Sequence, residues 1–520
     1  MTDQSINFER TGIPDTFKNL LSYNAWDSSN TFAIMESFWQ ELYTDGHEHT
    51  YNQTIALLQP LMFMMTRGIA VNQAKLKLAS INTEKEIDNK QLELERVVGR
   101  SLNPLSPKQV GAYFYIDQGI QPYLNQEGRP TTDDKAMARL ARGTASRPGL
   151  RAAKLIQELR GLHKLKGTYL DIAFDSDGRF RTSCNPRGTK FGRISTGKTI
   201  YQTGMNMQNL PDAFKQFLVP DDGYIMFEVD KRQAEWVVVA FVSGDEGMMQ
   251  VLREGGDPHV HTGWLMTGAD KDLIKKEAKA VGHSTDPVEI EARRRDLCPE
   301  IYTVGLGYIP RNFSIRQGGK KGNHALNYGE TPKRFAIENE IQEKEAKLVH
   351  TLYHRAYPGI ARWHSHVQER LSKDRTLTNC FGRKCRFLER WGDDLFKQAY
   401  AFEPQSTVAD VINNALIEIY NDNDERLLNL ELLAQVHDSI LFQLPLTMST
   451  DDMLYCLRRV NEATDKPMEC YGREFRIATD LKMGVDNWAD LHEYDFTNQE
   501  QLRVAIDGFK ETQRLANGVS

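Results

Sequence analysis

A chain of 520 residues, 40% hydrophobic and 26% charged, has the length of roughly three compact units and the make-up of an ordinary globular protein, which excludes collagenous, low-complexity and disordered classes. The start, MTDQSINFER, lacks the basic and apolar regions of a secretory signal, and no apolar run is long enough for a bilayer, so a cytoplasmic setting without membrane is expected. A net charge of -6 excludes an all-round cationic coat but leaves room for a local cationic groove, and six scattered cysteines make neither a zinc pattern nor a disulfide framework.

Residues 50–100 predict helices: Ile55, Leu58, Leu61, Met62 and Met65 recur at helical spacing, and an amphipathic stretch runs from Gln73 to Val98 between Gly68 and Gly99. A polar stretch follows, and helices return from Lys135 to Tyr169. Between Arg147 and Lys198 twelve basic residues stand against four acidic ones. Such a run is a candidate phosphate-tracking surface, with a plain solvated helix face as the alternative that explains most charge runs. GYIMFEVD, Gly223 to Asp230, is rich in β-branched and aromatic residues and predicts a strand ending on an acid. Lys271 to Arg295, charged and broken at Gly282 and Pro287, predicts an exposed helical insertion. Ile301 to Gly329 holds 29 residues without Asp or Glu and with Arg311, Arg316, Lys320 and Lys321, so an anion is expected there. AQVHDSILFQL, Ala434 to Leu444, predicts a hairpin whose tight end carries His437 and Asp438.

The segment RQGGKKGNHALNYG, Arg316 to Gly329, carries the most chemistry. As a helix it sets Arg316, Lys320, Asn323 or His324, and Asn327 on one face. Cations four apart repel, and each glycine inside a helix costs about 1 kcal/mol relative to alanine. A triphosphate would offset the repulsion, and glycines would permit its close approach. A phosphate-binding loop of the GxxxxGK[ST] type does not fit GGKKGN, and a basic surface loop is the plain alternative.

The spacing Arg316-x3-Lys320-x7-Tyr328-Gly329 resembles the fingers-helix motif of family A DNA polymerases. The family's palm motif DYSQIELR is similar to DKRQAEWV, Asp230 to Val237, and its VHDE motif to Val436, His437, Asp438 and Ser439. In the family's order stand FGRIS at Phe191, MNMQNLP at Met205, DPHV at Asp257, QSTVAD at Gln405 and the thumb-like RGLHKLKGTY at Arg160. The resemblance implies an α+β fold of right-hand form. Residues 1–48 would be a remnant of an exonuclease-like domain and linker, 49–185 a helical thumb, 186–245 the first part of an antiparallel-sheet palm. Residues 246–400 would be helical fingers with an insertion around 270–310, 401–500 the second part of the palm, and 501–520 a C-terminal tail helix.

The activity implied is template-directed addition of dNTPs to a primer 3′ end, of phage type, with primer-template DNA as partner. Asp230 and Asp438 match the carboxylates that hold two Mg2+ ions, for which Mn2+ can substitute; two-metal sites set the ions about 3.5–4 Å apart. A lone aspartate at a strand end is usually a cap or turn residue, and only the pair of motifs reverses that reading. Arg316, Lys320 and His259 match triphosphate ligands, Lys320 also the general acid for pyrophosphate. Glu235, beside Gln233, matches the residue that closes the space next to the sugar C2′; its plain reading is a surface salt bridge. Tyr328 matches the aromatic on the template-base side. Arg193, Gln208, Asn209, Gln405 and His437 match contacts to the primer-template near its end, and Lys164 a thumb contact to phosphate.

Three positions depart from the pattern. His324 stands where the family has Phe or Tyr, Ser439 stands where it has Glu, and Arg316 follows His259 by 57 positions. Tyr23-x3-Asp27 resembles the last motif of the family's 3′–5′ exonuclease without the earlier carboxylates, so the expectation is a chain that does not proofread alone, with a separate exonuclease chain or replisome proteins as candidate partners. The competing readings are a single-subunit RNA polymerase, which Glu235, FGRIS and MNMQNLP disfavour, and a non-catalytic DNA-binding subunit, which Asp230, Lys320 and Asp438 disfavour.

Overall fold

The computed structural model describes residues 17–125, 127–144, 147–303 and 308–516. Residues 1–16 of the expected amino-terminal remnant, 304–307 of the acid-free stretch and 517–520 of the tail helix lie outside the described residues.

The architecture is α+β, as expected. Its centre is a five-stranded antiparallel sheet in the order Glu431–Val436, Ser439–Pro445, Tyr224–Lys231, Thr479–Gly484, His492–Tyr494. Alternation along the central strand divides its side chains between two cores. Ile225, Phe227 and Val229 face a layer of helices that includes Glu48–Arg67, Asp393–Tyr420 and Thr450–Thr464. Met226 faces the opposite core with Leu441, Phe214 and Trp488. Phe227 and Phe442, directly opposite in register, stack with ring centroids 5.2 Å apart.

A separate helical unit precedes the sheet. Gln73–Val98 starts where the Asn72 side chain accepts the N–H of Lys75 and ends at Gly99, whose φ of 79° closes it in the left-handed region. It packs on Arg151–Lys164, which packs in turn on Asp134–Arg142, around Leu94, Phe114, Met137, Leu155 and Leu159, all fully buried. A third unit gathers Ala234–Ser243, Pro258–Thr267, Ile315–Asn327, Glu343–Ala356 and Pro358–Asp374 around a core that includes Trp236, Tyr353, Tyr357 and Trp363.

Three expectations need correction. The insertion is helical, at Lys271–Val281 and Pro287–Leu297, yet it is not merely exposed. Ile274, Val281 and Ile290 are fully buried, as is an ion pair between Glu277 and Arg294. Half of the twelve basic residues between Arg147 and Lys198 are paired within the chain: Arg151 with Glu93, Lys166 with Asp171, Arg179 with Asp221, Arg181 with Asp175 and Asp177, Lys190 with Glu389 and Arg193 with Glu235. Cys380 and Cys470, 90 positions apart, form a disulfide with Cα atoms 5.2 Å apart. Folding brings the short hairpins around them together, which their spacing in the sequence does not reveal.

Candidate active site

Asp230 is the penultimate residue of the central strand and lies in register with Ser439 on one side and Asp480 on the other. Asp438 sits at the tight end of the hairpin. His437 before it has a φ of 53°, a left-handed conformation that costs a non-glycine residue about 1–2 kcal/mol. Two glutamines hold it there. The N–H of His437 donates to Oε1 of Gln208 at 2.7 Å, and its carbonyl accepts from Nε2 of Gln435 at 2.6 Å. Gln208 also donates through Nε2 to the Gln435 carbonyl at 3.0 Å. The Asp438 carbonyl accepts the N–H of Lys231 at 3.2 Å, tying the hairpin end to the central strand. Ser439, at the departing position, donates to the Val436 carbonyl at 2.9 Å and so closes the turn.

Two carboxylates thus meet at one end of the sheet. Burial, followed by the charges of Asp438 and Glu228, pushes the Asp230 carboxyl up to about 7. Burial, followed by Glu235, raises Asp438 as well. The result is an oxygen-donor pair short of positive charge. A third carboxylate, Asp480, lines the same cavity, held by Arg232 through Nε at 3.0 Å. Sequence reasoning missed it, because its signal was one acid at the start of an unremarked strand.

The opposite wall is the helix Ile315–Asn327, started by the Ser314 hydroxyl, which accepts the N–H of Gln317 at 3.2 Å. Its glycines have a purpose different from the expected one. A Cβ on Gly319 would lie 2.0 Å from the His259 carbonyl oxygen and 2.8 Å from the Gly263 nitrogen, and one on Gly318 would lie 2.7 Å from Cγ of Pro310. They admit a neighbouring helix and the approaching chain rather than a phosphate. Of the polar face, Lys320 and His324 are exposed and Arg316 half-buried, whereas Asn323 and Asn327 are buried.

Arg316 donates through Nε to Asp257 at 2.7 Å, and Asp257 also caps the helix Pro258–Thr267 by accepting the N–H of His259 at 2.7 Å. Burial works to raise the Asp257 carboxyl, but these contacts outweigh it and hold it below the usual range. Nδ2 of Asn323 donates to the Pro258 carbonyl at 3.2 Å and meets Nδ1 of His259 at 3.0 Å. Nδ1 is therefore the acceptor and Nε2 carries the proton. Burial lowers His259 to about 4, with Arg316 and Lys320 helping and Asp257 opposing, so it is a neutral donor at pH 7.

Between the walls lies a cavity of ≈ 450 Å3, lined by Asp230, Asp438 and Asp480 on one side and His259, Arg316, Lys320, His324 and Tyr328 on the other, with Gln233 and Glu235 between. Gln233 has a φ of 53° at the corner from the strand into the helix Ala234–Ser243. Glu235 is more than a surface salt bridge: it pairs with Arg193 and accepts the Tyr328 hydroxyl. Burial first, then Glu235, keeps that hydroxyl protonated. Arg193 also reaches Oε1 of Gln405 at 3.4 Å.

The remaining expected residues fall outside the cavity lining. Gln208 has both ends of its amide bonded to the hairpin, His437 is exposed at the hairpin tip, and Asn209 is exposed after the short turn Met207–Asn209. Lys164 is exposed at the end of Arg151–Lys164, in the separate helical unit.

Comparison with known proteins gives this geometry a setting. The family model described as "DNA polymerase family A" matches residues 73–283 and 311–490. A thermostable DNA polymerase I of Thermus filiformis is 27% identical over 417 residues, covering 75% of this chain and 43% of the relative. DNA polymerase I of Pseudomonas aeruginosa is 24% identical over 444 residues, covering 81% of this chain and 43% of the relative. The chain therefore spans less than half the length of the curated relatives it matches. Among solved structures, the POL domain of Pol1 from M. smegmatis in complex with DNA primer-template and dNTP shares the fold, with a TM-score of 0.67, 21% identity, and coverage of 84% of this chain and 70% of that one. With well over half of its residues matched by the family model, the chain belongs to DNA polymerase family A.

Proposed function

We propose that this chain is a DNA-directed DNA polymerase that adds dNTPs to the 3′ end of a primer by metal-assisted nucleotidyl transfer. The supporting observation is one cavity with paired acids, Asp230 and Asp438, on one wall and cationic or donor groups, Arg316, Lys320 and His259, on the other. The first wall suits divalent metal and the second suits a triphosphate.

Asp230 and Asp438 are the residues that would hold the metal. Magnesium commonly takes one or two carboxylates and completes its shell with phosphates and water. A pair therefore suffices, although the described residues contain no group of three His, Cys, Asp or Glu arranged for a metal. Bound there, Mg2+ or Mn2+ would acidify the primer hydroxyl and offset charge on the departing pyrophosphate. Arg316, held by Asp257, fixes the triphosphate. His259 donates a neutral hydrogen bond, and Lys320 gives its proton to pyrophosphate as charge develops. Glu235, braced by Arg193 and Tyr328, bounds the sugar. Arg193, Asn209, Gln405, His437 and Lys164 contact the primer-template, while Gln208 acts through the turn it holds. The helical unit of 49–185 would be the thumb, the sheet the palm and the segment 246–400 the fingers. Tyr23 and Asp27 lie exposed on the helix Phe17–Thr44, so we assign no proofreading to these 520 residues.

Primer extension tests the proposal. With Mg2+, a primed template and four dNTPs, template-directed extension is expected, with little from rNTPs and no loss of a 3′-mismatched nucleotide when dNTPs are omitted. Promoter-driven use of rNTPs without a primer, or no extension at all, would overturn it in favour of an RNA polymerase or a non-catalytic subunit.

A further inference from the structure

The family match stops at residue 283 and resumes at 311. The helix Pro287–Leu297 lies in that gap, and it sends one side chain deep into the protein. Arg294 is 1% exposed and Glu277, from the preceding helix, 0%. Nε and Nη2 of Arg294 donate to Oε1 of Glu277 at 2.8 and 2.6 Å. The remaining bonds of the pair all end on the backbone that leads into the cationic helix. Nη1 of Arg294 donates to the Pro310 carbonyl at 2.5 Å and Nη2 to that of Phe313 at 2.9 Å. Oε2 of Glu277 accepts the N–H of Ile315 at 2.9 Å.

Ile315 is the first residue of that helix and the neighbour of Arg316. Its N–H is one of the amides that a helix start leaves without an internal partner. A buried ion pair is a poor source of stability, since an apolar pair of similar size often does as well or better. What the guanidinium and carboxylate supply that an apolar pair cannot is direction. Three hydrogen bonds reach residues 310, 313 and 315, and with the Ser314 hydroxyl on Gln317 they fix where the helix begins and how it is rotated. The rotation sets where Arg316 and, one turn on, Lys320 point.

We infer that Arg294 and Glu277 are positioning residues for nucleotide binding: the insert, through Arg294, seats the first turn of the helix that presents Arg316 and Lys320 to the triphosphate. This rests on the polymerase reading above. The plain alternative is a pair that only stabilises the insert.

Steady-state single-nucleotide incorporation by the full chain, together with melting temperature and primer-template affinity, separates these. Wild type comes first: failure to extend would sink the polymerase reading itself. Given extension, R294M and E277Q are expected to raise KM for dNTP by about tenfold or more, with kcat changed less than about threefold and primer-template Kd unchanged. R294K keeps the charge without the forked geometry and is expected to behave as R294M. The double variant E277L/R294M removes both charges together but leaves the Pro310 and Phe313 carbonyls and the Ile315 N–H without their partners, so a lowered melting temperature is expected along with the raised KM. R295A, which removes an exposed pair with Glu291, should change nothing. Wild-type KM in a folded E277L/R294M would overturn the inference. If the double variant does not fold, wild-type KM in folded R294K overturns it instead.

Discussion

Neither Asp230 nor Asp438 has a lysine or arginine bonded to its carboxylate among the described residues, and burial raises the proton affinity of both. Their work in the proposed reaction is to present charge to metal, so the amide isostere should abolish activity without harming the fold. Asp230→Asn and Asp438→Asn are each expected to cut kcat by on the order of 10^3-fold or more, with an unchanged circular-dichroism melt; extension at wild-type rate by either would refute the mechanism. Glu235 makes a different prediction. Removing it frees the space beside the sugar but also strips Arg193 and the buried Tyr328 hydroxyl of their partner. Glu235→Ala should relax discrimination against rNTPs by about 10–100-fold while lowering kcat/KM for dNTPs. These residues were legible in the sequence because motif neighbours framed them. Asp480 was not, since its relevance comes from strand register alone.

The helix Ile315–Asn327 was legible as cationic and glycine-rich, but the glycines were read as making room for phosphate. Close packing against Pro258–Thr267 is the observed cause, and helix crossings depend on a partner that periodicity cannot name. Gly319→Ala therefore forces two backbones apart. A loss of about 1–3 kcal/mol is expected from overpacking, read by urea titration, together with a raised KM for dNTP because His259 and Arg316 ride on the two helices. Unchanged stability and KM would show that the helices can separate freely. The disulfide between Cys380 and Cys470 escaped the sequence for the same reason. Non-reducing mass spectrometry after alkylation should find four of the six thiols labelled; six would show the bridge unformed.

Several histidines are buried or half-buried across the molecule. Burial lowers His259, His261, His354 and His364 to about 4 each, from the usual 6.5. Above pH 6.5 folded and unfolded chains both hold these rings neutral. Between 6.5 and 4 the unfolded chain takes up protons that the folded one refuses, so the histidine contribution falls with acid and levels off below 4. The raised aspartates run in the opposite direction, because their folded forms bind protons first. A difference measurement isolates one ring. His364 donates to the Asn327 carbonyl at 2.8 Å and stacks on Tyr400. His364→Gln should therefore flatten the fall in stability between pH 6.5 and 4 by about 1–3 kcal/mol relative to wild type. Parallel curves for the two proteins would count against the burial. The α+β fold class followed the family resemblance, whereas the lowered affinity of these rings for a proton follows from packing that no motif encodes.

The hairpin end beneath Asp438 is held by the side-chain amides of Gln208 and Gln435. An amide neither titrates in the working range nor carries charge for salt to screen. High ionic strength will therefore loosen Arg316 from Asp257, or Arg193 from Glu235, before it shifts this turn. Under the proposed function, the chain would lose its grip on the nucleotide while its acids stay aligned, so inhibition by salt should reverse on dilution without refolding.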